Sequence, residues 1–166
     1  AWRIEGPRVE STHVSYMQFV SAGVTGDVES LVDADDSHVV VCPRGEESAE
    51  VVEMLDGEGI EARNLTGGME GWANVYRRRE IGTAETDAMV FQYRRPATGC
   101  LSYAVVDGGE AVIVDPLAAF ADRYVSDVTA LGADIVAVID THVHADHVSG
   151  LFDVAEAADV PPSVPS

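Results

Sequence analysis

A short apolar segment, followed at once by a cluster of metal-ligating side chains, limits the possible folds of this sequence more than any other feature. Residues 134–140 are rich in valine and isoleucine, which predicts a buried strand. Three of the chain's five histidines and an aspartate then occur within six residues: His142, His144, Asp146 and His147. Open α/β sheets bind ligands at the carboxyl ends of their strands. The sequence therefore predicts an α/β fold with a candidate metal site at a strand end.

The donor types in this cluster suit a transition metal. Neutral imidazole is the commonest protein metal ligand, and imidazole with carboxylate suits zinc, iron or manganese. From the residues alone, the alternative is a solvated polar turn, or a core histidine held by a carboxylate.

The pattern His142-x-His144-x-Asp146-His147, followed by Val-Ser-Gly, resembles the signature of the metallo-β-lactamase superfamily. Its form is most similar to the branch that contains persulfide dioxygenases and glyoxalase II. The resemblance implies that the first two histidines bind one metal and that Asp146 and His147 bind a second, as two Zn(II) ions in the hydrolases. In the iron-dependent persulfide dioxygenases, only the residue equivalent to His142 would bind the single Fe(II).

The first half of the chain alternates strand and helix patterns. A β-branched run at residues 38–41 ends at Cys42, which is typical of a buried parallel strand. The further elements that the pattern predicts are a loop at 43–47, a helix at 48–56, a strand at 60–65 and a helix at 69–75.

Residues 2–6, the strand that ends at Cys42, and residues 65–72 resemble a rhodanese, the sulfurtransferase fold. The resemblance implies that Cys42 carries a sulfur atom as a persulfide. Such a cysteine needs a stabilised thiolate, which the N–H groups of a loop curling into a helix supply.

The loop after Cys42 departs from the rhodanese pattern. Glu46 and Glu47 stand where many active rhodaneses have an arginine, and carboxylates near a thiolate oppose its formation. Arg44 is the candidate residue to compensate for them. A catalytically silent rhodanese is therefore an alternative.

These patterns predict two domains: a rhodanese-like parallel-sheet domain at 1–80, a linker at 81–88 that follows three polar arginines, and the N-terminal half of a metallo-β-lactamase αββα sandwich at 89–166. We expect both domains to be incomplete at the chain ends. In the second domain the pattern predicts strands at 89–93, 101–106, 111–114 and 134–140, helices at 117–131 and 149–158, and a frayed tail at 160–166. An Asp-Gly-Gly turn predicts a hairpin between the second and third of these strands. Cys100 is assigned no role.

The formal charge of −19, with no lysine, restricts the choice of partners. Such a surface repels nucleic acid and anionic membranes, so neither is expected as a partner. It also resembles the surface of a salt-adapted protein. With two cysteines, no signal segment and no membrane span, we expect free thiols in a cytoplasmic protein.

Both resemblances point to sulfane-sulfur metabolism. The expected parent protein is a persulfide dioxygenase or sulfurtransferase-like metalloenzyme with a single Fe(II), acting on a low-molecular-weight thiol persulfide or thiosulfate. The alternatives are a glyoxalase II-like hydrolase with two Zn(II), and a metal-free sulfur-carrier or interaction module. Since no histidine follows His147, we expect the further metal ligands to lie in the missing part of a longer protein. The alternatives are a homo-oligomer or a completing partner chain that supplies them, and a degenerate remnant that lacks them.

Overall fold

The computed structural model describes residues 11–82 and 86–164, and it divides the chain into two compact units, Ala1–Val75 and Tyr76–Ser166. The motif predicted at residues 2–6 lies outside the described residues. No helix in the described part of the chain is long and apolar enough to cross a lipid bilayer.

The first unit places its helices beside a short parallel sheet. Its elements are α1 (Tyr16–Thr25), a 3₁₀ turn (Val28–Leu31), β1 (His38–Val40), α2 (Glu47–Gly57), β2 (Ala62–Asn64) and α3 (Gly68–Ala73). β1 and β2 are parallel, with His38 opposite Ala62. Helix α2 contributes Val51 and Leu55 to the core of this unit. The strand and helix pattern predicted for residues 38–75 is present.

Helix α1 was not predicted, although its start is encoded locally. The Ser15 side chain accepts a hydrogen bond from the Gln18 backbone N–H, and the Gln18 side chain accepts one from the Ser15 backbone N–H. This reciprocal pair is a capping box. Gly26, at φ +72°, ends the helix in the left-handed region. Phe19 and Ala22 are buried in the core that α2 shares.

The second unit contains a six-stranded sheet in the order β3-β4-β5-β6-β7-β8, with helices on one face. Its elements are β3 (Arg77–Glu80), β4 (Met89–Arg94), β5 (Leu101–Asp107), β6 (Glu110–Val114), a 3₁₀ turn (Ala118–Phe120), α4 (Ala121–Ala130), β7 (Asp134–Ile139), α5 (Leu151–Ala158) and β8 (Pro162–Ser163). Strands β3 to β6 are antiparallel, and β6, β7 and β8 are parallel.

The hairpin predicted between β5 and β6 is present. Asp107 pairs with Glu110 across a two-residue loop, and Gly108 and Gly109 have φ values of +57° and +86°. A two-residue hairpin whose loop residues both have positive φ matches the twist of the flanking strands.

The structure differs from the sequence predictions at the start and end of the second unit. The polar arginine stretch predicted to lead into the linker forms β3, which pairs with β4, and the boundary between the units falls after Val75 rather than after residue 80. Residues 77–80 form a strand through backbone pairing with β4, because all four β3 residues are exposed and show no apolar pattern. Residues 83–85 of the predicted linker lie outside the described residues. In the predicted tail, Pro162–Ser163 pairs with β7 as an edge strand.

Strand β7 is buried on one face only. Ile135 and Val138 face the helices, whereas Val136 is exposed on the opposite face. The strand predicted to be buried is therefore present, and it is buried on the one side that the described helices cover. Val128 of α4 and Val154 of α5 pack in the same core as the buried side of β7.

The register of the sheet brings three segments to one edge. Tyr103, near the start of β5, is opposite Val114 at the end of β6, and Val114 is opposite Ile139 at the end of β7. The residues that precede β5 and those that follow β6 and β7 therefore emerge together. This edge carries the candidate metal site.

A buried hydroxyl network lies beneath the segment that follows β6. The Tyr124 hydroxyl accepts a hydrogen bond from the Leu117 N–H at 3.0 Å, lies 2.7 Å from Ser102 Oγ, and also contacts the Tyr76 hydroxyl. Tyr124 and Ser102 are fully buried, so their polar atoms depend on one another for hydrogen bonds.

Replacing Tyr124 by Phe should destabilise the second unit by about 1–3 kcal/mol, because the buried Leu117 N–H loses its acceptor. Both tryptophans lie in the first unit, so amide hydrogen exchange in β5 and β6 is the appropriate measurement. Tyr103→Phe is the matched control, since the hydroxyl that it removes accepts a hydrogen bond from the Gln92 side chain. Equal protection in the two variants would contradict this prediction.

Candidate functional site

The predicted metal ligands lie in the loop between β7 and α5, which we call the histidine loop (residues 140–150). The side chains of His144 and His147 are only 4% and 6% exposed, whereas His142 and Asp146 are exposed. The rings of His142 and His144 have centroids 4.2 Å apart, and so do those of His144 and His147. The structure therefore brings the three imidazoles together.

The first group of possible ligands contains Asp115, His142 and His144. One donor atom from each lies within 4.8 Å of the others. Asp115 follows β6 directly, and the pairing of β6 with β7 places it beside the histidine loop.

Asp115 anchors the beginning of the histidine loop. Its carboxylate accepts hydrogen bonds from the Thr141 N–H and the Thr141 hydroxyl, both at 2.7 Å, and lies 3.2 Å from His144 Nε2. Burial would raise the pKa of Asp115, but the Thr141 hydrogen bonds and the neighbouring His144 imidazole hold that pKa below its usual range. Asp115 has φ +52°, in the left-handed region that non-glycine residues seldom adopt.

These contacts determine which ring nitrogens remain for a cation. Thr141 Oγ1 lies 2.8 Å from His142 Nδ1, so Nε2 is the nitrogen of His142 that could bind a cation. The Asp115 carboxylate contacts Nε2 of His144, so Nδ1 is the nitrogen of His144 that could bind a cation. A carboxylate that holds one nitrogen of a ligating histidine fixes its tautomer and its orientation.

The second group contains Cys100, Asp146 and His147, again with donor atoms within 4.8 Å of one another. Cys100 Sγ lies 3.4 Å from Asp146 Oδ2, and His147 Nδ1 lies 3.1 Å from Asp146 Oδ1. Nε2 of His147 is buried and has no hydrogen-bond partner in the part of the chain that the structure describes. Burial raises the pKa of the Cys100 thiol.

Sequence reasoning missed Asp115 and Cys100 as members of the site. The sequence patterns gave no functional role to either residue. Parallel pairing of the strands ending at Val114 and Ile139 would have placed Asp115 beside the histidine loop. For Cys100, its position immediately before β5 could have indicated that it lies at the sheet edge that carries the candidate metal site.

The first unit holds Cys42 in a tight loop between β1 and α2. The Gly45 N–H and the Ser48 hydroxyl lie 3.0 Å and 3.2 Å from Sγ, and Glu47 Oε2 lies 3.1 Å from it. Burial and the Glu47 carboxylate would raise the pKa of the Cys42 thiol, but hydrogen bonds from Ser48 and Gly45 outweigh both and lower it. The hydrogen bonds to Sγ thus oppose the effect of the Glu47 carboxylate on the Cys42 pKa.

Gly68 allows this loop to lie against the start of α3. A Cβ at Gly68, where φ is +60°, would lie 2.3 Å from the Cys42 carbonyl oxygen. The Met69 N–H donates to that oxygen, and the Glu70 N–H donates to the Pro43 oxygen, both at 3.0 Å. Only glycine permits this approach.

Arg44, the other residue proposed for this loop, is 62% exposed, with its guanidinium 3.7 Å from the Glu46 carboxylate. The described contacts around Cys42 Sγ come instead from Gly45, Glu47 and Ser48. Asn64, which sequence reasoning did not select, supports the loop by donating to the Gly45 oxygen, and its Oδ1 lies 2.7 Å from the Ser48 hydroxyl oxygen.

Asp115→Asn should weaken Zn(II) binding by about 10–100-fold, because an amide nitrogen cannot accept from Thr141 or hold His144 as a carboxylate does. The affinity is measured by competition with a chromophoric chelator. Asp134→Asn, an exposed change at the other end of β7, is the control and should leave the affinity unchanged. Equal affinities in both variants would show that Asp115 does not position the loop.

Ser48→Ala should raise the pKa of Cys42, because it removes a hydroxyl 3.2 Å from Sγ. The thiolate is the reactive form, and its fraction falls as pH falls through the pKa. The pH at which alkylation of Cys42 by iodoacetamide reaches half its maximal rate should therefore move upward. Ser30→Ala, whose hydroxyl bonds the Asp27 oxygen, should leave this midpoint in place, and an unmoved midpoint in Ser48→Ala would rule out the hydroxyl's role.

Comparison with known proteins gives a family match for part of the chain. The family model described as Metallo-beta-lactamase superfamily matches residues 95–166. No curated protein matches the sequence.

Solved structures with similarity include ETHE1 from Myxococcus xanthus, at 26% identity and a TM-score of 0.38, covering 54% of this chain and 35% of that one. A metallo-beta-lactamase from Staphylococcus aureus subsp. aureus COL is 28% identical, with a TM-score of 0.45, over 49% of this chain and 24% of that one. The chain thus spans about a third of the length of the first structure and a quarter of the second. The mixed α/β fold of the second unit is consistent with the family match, and the matched residues 95–166 contain the whole histidine loop.

Proposed function

We propose that this chain is part of a metal-dependent enzyme of sulfane-sulfur metabolism, of the persulfide dioxygenase type, in a salt-adapted cytoplasm. One observation supports the proposal most strongly: a single chain holds both a transition-metal ligand cluster and a cysteine whose thiolate is stabilised by surrounding donors. A thiolate carries sulfur as a persulfide, and a redox-active metal can oxidise it.

The residues of the histidine loop fit a divalent cation. Asp115 and Asp140 are largely buried on either side of His144, at 3.2 Å and 3.6 Å from its Nε2. Asp140 Oδ1 has no hydrogen-bond partner among the described residues. Buried carboxylates need a compensating charge, and a cation held by His142 and His144 would provide it.

Fe(II) is the proposed ion because the motif is most similar to that of iron-dependent persulfide dioxygenases. When bound, Fe(II) would supply the reactivity toward dioxygen that no protein side chain has. The overall reaction for a thiol persulfide is RSSH + O₂ + H₂O → RSH + SO₃²⁻ + 2H⁺, in which the sulfane sulfur is oxidised and dioxygen is reduced.

Cys42 would transfer sulfur in this scheme. Its thiolate attacks the outer sulfur of a thiol persulfide or thiosulfate, the sulfur–sulfur bond of the donor breaks, and the donor leaves as a thiolate or sulfite. The Gly45 N–H and the Ser48 hydroxyl stabilise the negative charge on Sγ before the attack. This rhodanese-like role for the first unit rests on the loop geometry and on the sequence resemblance.

A second candidate is a glyoxalase II-like thioester hydrolase with two Zn(II) ions. The adjacency of the two ligand groups, joined by His144 and His147 rings 4.2 Å apart, favours this candidate. Two zinc ions would lower the pKa of a bound water for attack on a thioester.

The chain purified in high salt without chelator, then loaded with Fe(II) under anaerobic conditions, should hold about one iron, the stoichiometry of a mononuclear oxygenase site. His142→Ala should lose that iron because it removes a ring nitrogen of the first group. His13→Ala, an exposed histidine of the first unit, should retain it. Elemental analysis measures both.

Three results decide between the candidates. Two zinc ions and no iron would favour the hydrolase, and iron retained by His142→Ala would contradict the ligand assignment. Treatment with a thiol persulfide should add one sulfur atom to the Cys42 peptide, detected by mass spectrometry. An unmodified Cys42 peptide would remove the sulfur-transfer part of the proposal.

A further inference from the structure

We propose that the Glu47 carboxylate determines which sulfur donor reacts with Cys42, favouring thiol persulfides and excluding thiosulfate. The inference rests on the sulfur-transfer role proposed for Cys42, and it narrows the two classes of donor named there to one. The observation that carries it is the position of the carboxylate, because Glu47 Oε2 lies 3.1 Å from Cys42 Sγ.

The start of α2 holds the carboxylate and the sulfur side by side. Glu47 is the first residue of α2, and the next residue, Ser48, is buried with its hydroxyl 3.2 Å from Sγ. Asn64 holds the same turn, because its amide nitrogen donates to the Gly45 oxygen at 2.9 Å and its Oδ1 lies 2.7 Å from the Ser48 hydroxyl oxygen. The backbone on either side of Glu47 is therefore fixed, and its side chain lies within reach of Sγ.

The charge beside the sulfur changes its effect when Cys42 ionises. While Cys42 is a thiol, its S–H donates to Glu47, and this hydrogen bond holds the pKa of the Glu47 carboxyl below its usual range. Once Cys42 is a thiolate, the sulfur has no proton to donate, and the two groups are like charges 3.1 Å apart. The Gly45 N–H and the Ser48 hydroxyl still stabilise the thiolate. A donor that approaches Sγ therefore meets a carboxylate as well as the thiolate.

Arg44 only partly offsets this charge. Its side chain is 62% exposed, and its guanidinium lies 3.7 Å from the carboxylate of Glu46. Residues 43–47 carry one positive charge, on Arg44, and two negative charges, on Glu46 and Glu47, so the loop has a formal charge of −1. The carboxylate that contacts the sulfur is therefore the one that Arg44 does not pair with.

The two classes of donor bring different charges to the sulfur. A protonated thiol persulfide reacts as Cys42–S⁻ + R–S–SH → Cys42–S–SH + R–S⁻, and its reacting end is neutral. Thiosulfate is a dianion and reacts as Cys42–S⁻ + ⁻S–SO₃⁻ → Cys42–S–S⁻ + SO₃²⁻. Its sulfonate lies one sulfur–sulfur bond, about 2 Å, from the attacked sulfur, well inside the Debye length of about 8 Å at physiological ionic strength. The Glu47 carboxylate therefore repels thiosulfate far more than a thiol persulfide.

A purely structural role for Glu47 makes a different prediction. A carboxylate in the first turn of a helix interacts favourably with the helix dipole, and Glu50 is also in the first turn of α2. Stabilising the helix needs no contact with Sγ and would not change the choice of donor. The choice of donor is therefore the quantity to measure.

Loading of Cys42 by cysteine persulfide and by thiosulfate tests the inference in the full chain. Each donor is used at the same pH and salt concentration, and the gain of one sulfur atom on the Cys42 peptide is followed by mass spectrometry. Each rate constant is divided by that of the same donor with N-acetylcysteine, so the intrinsic reactivity of the donor cancels. The wild-type chain should prefer cysteine persulfide at least about tenfold, the lower end of the range by which local charge changes the association rate of an ion.

Glu47→Gln should lower this preference about tenfold, because it removes the charge and keeps the shape of the side chain. A change in the thiolate fraction of Cys42 affects both donors equally and cancels in the ratio. Glu46→Gln, the matched control, removes the same charge from the carboxylate that faces Arg44, and should keep the preference. Glu47→Asp keeps the charge at this position and should retain most of it, which guards against a folding defect in Glu47→Gln.

The outcomes separate this inference from the proposed function. Equal normalised rates for the two donors in the wild-type chain, an unchanged preference in Glu47→Gln, or an equal loss in Glu46→Gln would each overturn the role of Glu47. Sulfur transfer by Cys42 would stand in all three cases. If neither donor adds sulfur to Cys42, the sulfur-transfer part of the proposed function is wrong, and this inference is wrong with it.

Discussion

The Asp115 carboxylate is the constraint on which the candidate metal site depends. It joins the end of β6 to the loop after β7 through Thr141, and it fixes the tautomer of His144 at the same time. Such a connection requires the two strands to be parallel neighbours that end at one level, which the pairing of Val114 with Ile139 provides. The site therefore depends on the sheet register, which places Asp115 beside the histidine loop. The histidine motif alone would not create it.

In the first unit, backbone hydrogen bonds rather than a charged side chain hold the loop that carries Cys42. The loop carrying Cys42 is held by hydrogen bonds from the start of α3, and Gly68 is required because any side chain there would overlap the Cys42 carbonyl. The N–H of Gly45, at φ +88°, then points to the sulfur. A stabilised thiolate here depends on two glycines that are distant in sequence from each other.

Local patterns predicted what short stretches of chain determine. The strand before the histidine loop, the hairpin turn at Gly108 and the loop after Cys42 are each encoded within about ten residues, and each is present. Asp115 and Cys100 were not predicted as site residues because their role depends on strand register, which no local pattern specifies. Strand β3 was not predicted because its side chains show no apolar pattern, and its pairing with β4 is set by the backbone. The assignments of the first unit as a rhodanese and of Arg44 to catalysis stay predictions.

The negative charge of the chain affects the binding of cations and of anionic substrates at the two groups of possible metal ligands. A formal charge of −19 attracts cations and repels anionic sulfur compounds over distances set by the Debye length. Within the histidine loop, Asp115, Asp140 and Asp146 add three carboxylates around the imidazoles. Such a site favours a divalent cation but would repel thiosulfate or a persulfide anion while the cation is absent. Under the proposed function, metal binding would therefore precede the approach of an anionic substrate, because a bound divalent cation offsets most of the local negative charge. High salt would screen the charge of the remaining surface.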